Sequence, residues 1–233
     1  MDYFNTKSED YRIGNPGTRD MSERAFGIEK QSFDIIESEI GNHNYAADEW
    51  AIVRRVIHAT ADFDFARSDR IIFSNDAIES AYVAFSKRSH VVTDVAMVLH
   101  GINKKSLTDI GLTAVCLIND PKLKEISKSS NKTRSELAMR ESANMIDNGI
   151  VIIGNAPTAL YEVISMIKEK VISPLLVIGI PVGFVSAVES KQDLSRLDVP
   201  FITNTGRKGG SSAASSIINS LMLMYLSTKN NLS

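Results

Sequence analysis

The sequence of 233 residues is poor in the residue types that build covalent cross-links and metal sites. It contains one cysteine, Cys116, which excludes an internal disulfide and any metal site made of cysteines alone. Its four histidines share no close spacing with one another, which gives little support to a histidine-based metal site. We therefore expect no resident metal ion.

Long uninterrupted apolar runs and a strong net charge are also missing. The longest apolar stretch, residues 172–188, is broken by two prolines and two glycines, so it is a poor membrane span. The formal net charge of −2 provides no overall attraction to nucleic acid or to anionic membranes. The amino terminus, Met-Asp-Tyr-Phe-Asn, is unlike a signal peptide. These features predict a cytoplasmic, soluble protein without nucleic-acid or membrane partners.

The composition is that of a folded protein with a packed core. Hydrophobic residues make up 43% of the chain and charged residues 23%, which argues against disorder. The length suits one large domain. We predict a single domain over residues 1–233, in which N-terminal helices at about 20–60 pack on an α/β core at 68–228. Ahead of these helices, Asn15-Pro16-Gly17 is a turn signal.

Two successive buried strands dominate the middle of the chain. Residues 149–154 read Gly-Ile-Val-Ile-Ile-Gly and residues 175–179 read Leu-Leu-Val-Ile-Gly, a pattern typical of strands buried on both faces. After the first strand, Asn155 can cap a helix that has Pro157 in its first turn. Parallel neighbours joined by a right-handed crossover follow from this order. Their loops meet at the carboxyl edge of the sheet, where α/β proteins bind ligands.

The remaining elements continue the alternation of strands and helices. The first helix is expected to bury Ile28, Ile35, Ile36 and Ile40 on one face. The last helix has more apolar residues than one stripe requires, so part of it is expected to pack on another layer or subunit. The pattern predicts a three-layer α/β/α fold with a mostly parallel sheet of five to six strands. The other predicted strands are 70–73, 90–95, 113–118 and 200–203; the helices include 28–40, 48–59, 75–87, 131–148 and 211–226.

His58 is the first candidate for chemistry. It ends the second predicted helix beside a polar loop, three residues after Arg55 and on the same part of the helix surface. An imidazole in such a place can carry a proton near neutral pH. On spacing alone, an exposed or core-satisfied histidine without a chemical role is the more frequent interpretation.

A second candidate is the start of the last helix. Gly209-Gly210-Ser211 offers backbone N–H groups and a positive dipole end to an anion, and Arg207 and Lys208 favour this slightly. The segment is not a Walker motif, and no Gly-x-Gly-x-x-Gly occurs in the chain. A flexible turn with ordinary capping is an equally good interpretation.

Polar residues at two other loops of the predicted sheet also indicate an anion-binding site. Thr93 and Asp94 end one strand, and Arg134 opens the helix that follows another. An arginine in a first turn is disfavoured by the helix dipole, which hints at an anionic partner, although a solvated arginine is commoner. From the residues alone, the chain is an α/β protein that binds an anionic small molecule at the carboxyl ends of its strands.

These motifs, in this order, resemble the precorrin-8X methylmutase family of cobalamin biosynthesis. The likeness covers residues from about 32 to 221, and the Asn-Ala-Pro-Thr-Ala-Leu and Pro-Val-Gly-Phe segments are its most specific parts. The matching segments are residues 32–36, 53–59, 94–98, 100–101, 133–135, 154–160, 179–184, 189–191 and 209–211.

The resemblance implies a cofactor-independent isomerase with an anionic corrinoid substrate. The family moves a methyl group from C-11 to C-12 of precorrin-8X or cobalt-precorrin-8, a 1,5-sigmatropic shift that gives hydrogenobyrinate or cobyrinate. His58 matches the histidine thought to give or take a proton at the macrocycle, and Ser32 and Arg55 match substrate-binding positions. Family members form homodimers whose sites lie near the subunit interface.

The sheet edge supplies further expected contacts for a flat ring edged with carboxylates. The rival interpretation is a non-catalytic corrinoid- or nucleotide-binding module that keeps the fold; a lost histidine would favour it, and His58 is present. The sequence does not distinguish a cobalt-bearing from a cobalt-free substrate. The additional substrate-binding candidates are Thr93, Asp94, Arg134, Lys191, Gly209, Gly210 and Ser211.

Overall fold

The computed structural model describes residues 23–230, so the predicted turn at Asn15-Pro16-Gly17 lies outside the described residues. Within that range the strands are β1 Ile71–Phe73, β2 His90–Thr93, β3 Thr113–Val115, β4 Ile150–Ile153, β5 Leu176–Gly179 and β6 Phe201–Asn204. They form a six-stranded sheet of order β1-β6-β5-β4-β2-β3. β1 runs antiparallel to β6, and the other pairs are parallel. The predicted α/β class with a mostly parallel sheet is confirmed.

Helices cover both faces of this sheet. The predicted helix 131–148 is two helices, because the chain turns at the buried Ser142, whose hydroxyl donates to the Ala138 carbonyl at 2.7 Å. The helices are α1 Glu23–Ile40, α2 Ala47–Thr60, α3 Ala77–Ser86, α4 Ala96–Gly101, α5 Lys104–Ile110, α6 Pro121–Ser129, α7 Arg134–Glu141, α8 Ala143–Ile146, α9 Pro157–Lys168, α10 Ala187–Leu194 and α11 Ser211–Asn230, with a 3₁₀ turn at Phe63–Ala66.

The strands alternate their side chains between two cores, one on each face of the sheet. On one face, α11 packs against β4 and β5 and also against α2, α3, α4 and α5. Ile217, Ile218, Leu221 and Met222 of α11 are fully buried there. The expectation that the last helix packs on a second layer is confirmed, and that layer belongs to the same chain. The helices α7, α9 and α10 cover the opposite face.

The expected apolar face of the first helix is wrong in part. Ile36 is buried and Ile40 half-buried, whereas Ile28 and Ile35 are 56% and 51% exposed. At about 100° per residue, Ile28 and Ile35 lie within about 20° of each other and about 80° and 100° away from Ile36. The face of α1 that packs on α2 therefore includes Ile36 and Ile40 and leaves Ile28 and Ile35 exposed.

The loop after β4 is fixed by an aspartate from another strand rather than by Asn155. The helix that follows, α9, has Ala156 at its N-cap position and no side-chain cap, so the predicted cap by Asn155 is wrong. The Asp94 carboxylate accepts hydrogen bonds from the backbone N–H groups of Gly154, Asn155 and Ala156 at 3.0, 2.8 and 2.8 Å. Asp94, which follows the neighbouring strand β2, therefore accepts the backbone N–H groups that a helix-capping side chain usually satisfies. Over residues 23–230, no helix is both long enough and apolar enough to traverse a lipid bilayer.

Candidate active site

A cleft of about 630 Å³ opens between the end of α2 and one face of α11. Four polar residues of α11 line it at positions i, i+3, i+4 and i+7, so they share one face of the helix. The lining residues are Glu29 of α1; Arg55, His58 and Ala59 of α2; Gly101, Asn103, Lys105 and Ser106 around α4 and α5; and Ser212, Ser215, Ser216, Asn219 and Leu223 of α11. The cleft thus combines a histidine and cations with a wall of small polar side chains.

Hydrogen bonds from α11 fix both walls of the cleft. The Ser216 hydroxyl donates to the Arg55 carbonyl at 2.9 Å, which ties α11 to α2. On the other side, the Asn219 amide donates to the Gly101 carbonyl at 2.9 Å and accepts from the Asn103 backbone N–H at 2.8 Å. Since both walls are bonded to the same helix, the shape of the cleft is set by the placement of α11.

His58 occupies the exposed end of α2. The helix stops at Ala61, which takes a left-handed conformation (φ 53°) and donates its N–H to the Ile57 carbonyl at 2.7 Å. The His58 side chain is exposed to the cleft and contacts the Phe33 ring edge-on, with centroids 5.3 Å apart. An accessible imidazole held against an aromatic ring can exchange a proton with a bound ligand.

Arg55 lies beside His58 and is paired with a carboxylate. Its Nη1 is 3.1 Å from Oε1 of Glu29, and the two side chains are 15% and 16% exposed. The Arg55 guanidinium also lies 5.2 Å from the centroid of the Phe33 ring. Ser32, one residue before Phe33, is half-buried and donates its hydroxyl to the Ile28 carbonyl at 2.9 Å. The structure therefore brings Arg55 and His58 into one cleft and places Ser32 on the adjacent helix.

The Gly209-Gly210-Ser211 segment packs tightly before it enters α11. A Cβ on Gly209 would overlap the Ile180 carbonyl oxygen, and Gly210 (φ 112°) donates its N–H to the same oxygen at 3.0 Å. Ser211 is 9% exposed and begins α11, and the next residue, Ser212, lines the cleft. Close packing at Gly209 and the positive φ of Gly210 therefore explain why this fold requires glycine at both positions. Anion binding by this segment stays a prediction.

Three predicted contact residues lie in the interior instead of lining the cleft. Thr93, Asp94 and Lys191 are 0%, 0% and 1% exposed. The Thr93 hydroxyl donates to the Val95 carbonyl at 3.3 Å. Burial raises the pKa of the Asp94 carboxyl, and its three backbone donors oppose that shift. All three residues brace loops at the carboxyl edge, and their direct contact with a substrate stays a prediction.

Lys191 is the most unusual of these interior residues. Its ammonium donates to Oδ1 of Asn204 at 3.0 Å and to the Lys208 carbonyl at 2.8 Å. Burial lowers the pKa of Lys191 to about 8. The lysine therefore supports the loop that precedes α11.

Arg134 is exposed at the start of α7, on the sheet face opposite the cleft. The helix is capped by Thr133, and Thr133 and Ser135 lie 3.3 and 3.2 Å from the Thr158 hydroxyl at the start of α9. The structure thus does not bring Arg134 to His58, and its role in substrate binding stays a prediction.

The polar face of α11 was not assigned to the site from the sequence. Its signal was available, because Ser212, Ser215, Ser216 and Asn219 recur at helical spacing within an otherwise apolar helix. Lys208, which was considered only as support for an anion, forms ion pairs with Asp62 and Asp64. In the part of the chain that the structure describes, no group of three or more potential metal ligands occurs.

Known proteins are similar to this chain in both fold and sequence. The solved precorrin-8X methylmutase of Thermus thermophilus superposes with a TM-score of 0.81 at 35% identity, over 87% of this chain and 97% of that one. Cobalt-precorrin-8 methylmutases of Leptospira interrogans and Priestia megaterium are 42% and 45% identical to this chain. Each match covers 84% of this chain, and 92% and 87% of the respective relative.

These matches first define a class: the protein is an isomerase, a methylmutase of cobalamin biosynthesis. A family model described as precorrin-8X methylmutase matches residues 27–224, a range that includes all the residues lining the cleft. The chain belongs to the precorrin-8X methylmutase family.

Proposed function

We propose that the protein moves a methyl group from C-11 to C-12 of precorrin-8X or cobalt-precorrin-8, with His58 as the proton donor and acceptor. The product is hydrogenobyrinate or cobyrinate. The observation that carries this proposal is the accessible imidazole of His58 beside Arg55 in a cleft of about 630 Å³. Clefts of roughly 300–1,000 Å³ are the usual size of small-molecule sites.

The reaction requires two things of the protein: that it holds the ring in a reactive conformation and that it transfers one proton to and from the ring. In the shift, the bond from C-11 to the methyl carbon breaks as the bond to C-12 forms, so substrate and product are isomers. A proton that is given to the ring to select the reactive tautomer must be taken back afterwards. A single imidazole can do both, since its ordinary pKa is near neutrality. Holding the ring in one conformation supplies the remaining rate acceleration.

Substrate recognition is assigned to cations and hydroxyl groups around the cleft. Arg55 and Lys105 line it and can meet carboxylates at the rim of the ring, where charge-assisted hydrogen bonds are the strong ones. Glu29 partly neutralises Arg55 and repels a second anion. Ser32 and the start of α11 at Gly209, Gly210 and Ser211 are further proposed contacts, and Arg134, Thr93, Asp94 and Lys191 are included as candidates for the rest of a large ring.

We also propose that the protein works as a homodimer with its site near the subunit interface. Phe26, Ile28 and Ile35 of α1 are 49%, 56% and 51% exposed, which is apolar surface on the helix that carries Glu29. Burial of such residues against a second copy would lower the exposed apolar area. Sedimentation equilibrium measures the mass, and a monomer that binds corrin product tightly would refute an interface site.

An anaerobic assay with both substrate forms tests the proposal. Turnover changes the absorption spectrum of many substrate molecules per protein, because the shift alters the conjugated ring. A non-catalytic binding module changes the spectrum only in proportion to the protein added. Multiple turnovers of either form support the proposed isomerase, and a strictly stoichiometric change with both forms would replace it with the binding module.

A further inference from the structure

Lys208 binds the loop that follows His58. Its ammonium lies 2.7 Å from Oδ2 of Asp62 and 2.7 Å from Oδ2 of Asp64. Asp62 also accepts from the backbone N–H of Asp64 at 3.0 Å and so caps the 3₁₀ turn at Phe63–Ala66. One lysine therefore holds both carboxylates of the short segment that leaves α2, four to six residues after His58.

The backbone of Lys208 is itself fixed to the sheet. Its carbonyl oxygen accepts from the Lys191 ammonium at 2.8 Å and from Nδ2 of Asn204 at 2.9 Å. Lys191 and Asn204 are each 1% exposed, so this carbonyl is bonded to two interior groups. The Lys208 N–H donates to Oδ1 of Asp69 at 3.0 Å. All the polar groups of Lys208 are thus engaged within the protein.

This arrangement connects the start of α11 with the segment that follows α2. Residue 208 stands three residues before α11 begins at Ser211, and its side chain reaches the segment that ends α2. The hydrogen bond from Lys208 lowers the pKa of Asp64, as expected for a carboxylate held in its charged form. The ion pairs are partly exposed, at 39% for Lys208 and 28% and 41% for its partners, and such pairs contribute little to stability.

We infer that Lys208 is a positioning residue for His58: anchored to the sheet by its carbonyl, it holds the end of α2 by its ammonium and so fixes the imidazole relative to α11. The inference rests on the proposed function, in which His58 transfers the proton. A displacement of about 1 Å in a reacting group can cost up to about 10²-fold in rate. Loss of the Lys208 ammonium is therefore expected to act on kcat more than on KM.

The test compares Lys208→Met with Lys208→Arg in the methyl-shift assay, with kcat and KM measured separately. We expect kcat of Lys208→Met to fall about tenfold or more while KM stays within about threefold. Lys208→Arg keeps a cation at that position and is expected to recover most of the rate. Lys128→Met is the matched control, because it removes an exposed ion pair with Glu125 on α6, a helix that packs on the opposite face of the sheet through Leu123. Both of its parameters are expected to be unchanged.

The outcomes separate the competing accounts. A rise in KM with unchanged kcat would mean that Lys208 binds a substrate carboxylate, which overturns the positioning role. Equal parameters for Lys208→Met and the wild type overturn it as well. If Lys208→Met does not fold, the double variant Asp62→Asn/Asp64→Asn decides, because it removes both carboxylate partners of the ammonium. Lower kcat at constant KM supports the inference, and unchanged kcat refutes it. A wild type that turns over neither substrate refutes the proposed function itself, and the inference with it.

Discussion

The Phe33 ring meets the His58 imidazole edge-on, with ring centroids 5.3 Å apart and planes inclined by 64°. The same ring lies under the guanidinium groups of Arg54 and Arg55, at 4.4 and 5.2 Å from their central carbons. One aromatic residue of α1 therefore contacts both the proposed proton-transfer residue and the cation beside it. We expect this contact to orient the imidazole, which is otherwise exposed at the end of α2.

Replacing Phe33 by leucine tests that orientation. We expect Phe33→Leu to lower kcat several-fold, because the imidazole loses its edge-on partner, and to lower the free energy of unfolding by about 1–2 kcal/mol. Phe73→Leu is the control, since Phe73 is also half-buried and meets Tyr45 edge-on at 6.4 Å, away from the cleft. Urea unfolding and steady-state kinetics measure both effects. Equal kcat values for the two variants would contradict the orienting role.

Arg55 and Arg134 were both predicted to bind substrate carboxylates, and the structure separates them. Arg55 lines the cleft, whereas Arg134 is on the other face of the sheet. We expect Arg55→Ala to weaken binding of corrin product by about 1–3 kcal/mol, because a charge-assisted hydrogen bond is lost and Glu29 is left facing the ligand. The effect of Arg134→Ala is expected to be smaller.

Titration of product at two ionic strengths measures these effects. A solvent-exposed cation loses most of its contribution at high salt, whereas Arg55, at 15% exposure, is expected to keep the larger part. Arg196→Ala provides the control, as Arg196 is 72% exposed and pairs only locally with Asp193. Affinities that are the same in wild type and Arg55→Ala would rule out a carboxylate contact for Arg55.

Asp94 is expected to matter for stability. Its carboxylate accepts three backbone N–H groups, and an asparagine would present an amide N–H₂ to one or more of these donors. We expect Asp94→Asn to lower the free energy of unfolding by about 2–4 kcal/mol, measured by urea denaturation. Asp193→Asn, which breaks an exposed pair, is expected to change it by less than about 0.5 kcal/mol. A similarly small change in Asp94→Asn would show that the loop does not depend on this carboxylate.

Strands buried on both faces were the most predictable part of the fold. Residues 150–153 and 176–179 form neighbouring parallel strands, as their apolar runs indicated. The antiparallel direction of β1 was not predicted, because a three-residue apolar strand looks the same in either direction. The short helices α4, α5 and α6 were also missed, although Asn103 and Asp120 cap two of them. Their sequences are too short for a helical period to stand out.

The part of the site that lies on a single sequence segment was predictable. His58 and Arg55 were chosen from one helical segment and lie in one cleft. The burial of Lys191 was not predictable, because its neighbours Ser190 and Gln192 are polar and its two acceptors lie 13 and 17 residues further on. The pairing of Lys208 with Asp62 spans 146 residues and leaves no local signal.

Lys191 is expected to give stability an unusual dependence on pH. Burial lowers its pKa to about 8 in the folded protein, from 10.5 in a solvated lysine. Between these values the unfolded chain holds the proton and the folded chain has lost it, so the free energy of unfolding rises with pH. The expected slope approaches about 1.4 kcal/mol per pH unit.

Lys191→Met removes this titration, so its stability curve is expected to be flatter than that of the wild type between pH 8 and 10. Urea denaturation over that interval measures the difference in slope. Above pH 10 both curves are expected to fall, because burial raises the pKa of Tyr45 and Tyr82 to about 12 and the unfolded chain loses these protons first. Parallel curves for the two proteins would show that Lys191 keeps an ordinary pKa when folded.

Turnover by His58→Ala tests the central claim most directly. In an anaerobic assay of the methyl shift, we expect this variant to lose about 10²-fold or more in kcat, because general acid–base catalysis is removed. His58→Asn is expected to be equally inactive, since it forms hydrogen bonds but does not titrate. Both variants are expected to bind corrin product nearly as the wild type does, and His90→Ala, an exposed histidine at the opposite end of the sheet, is expected to turn over normally. Near-normal turnover in His58→Ala would contradict the account.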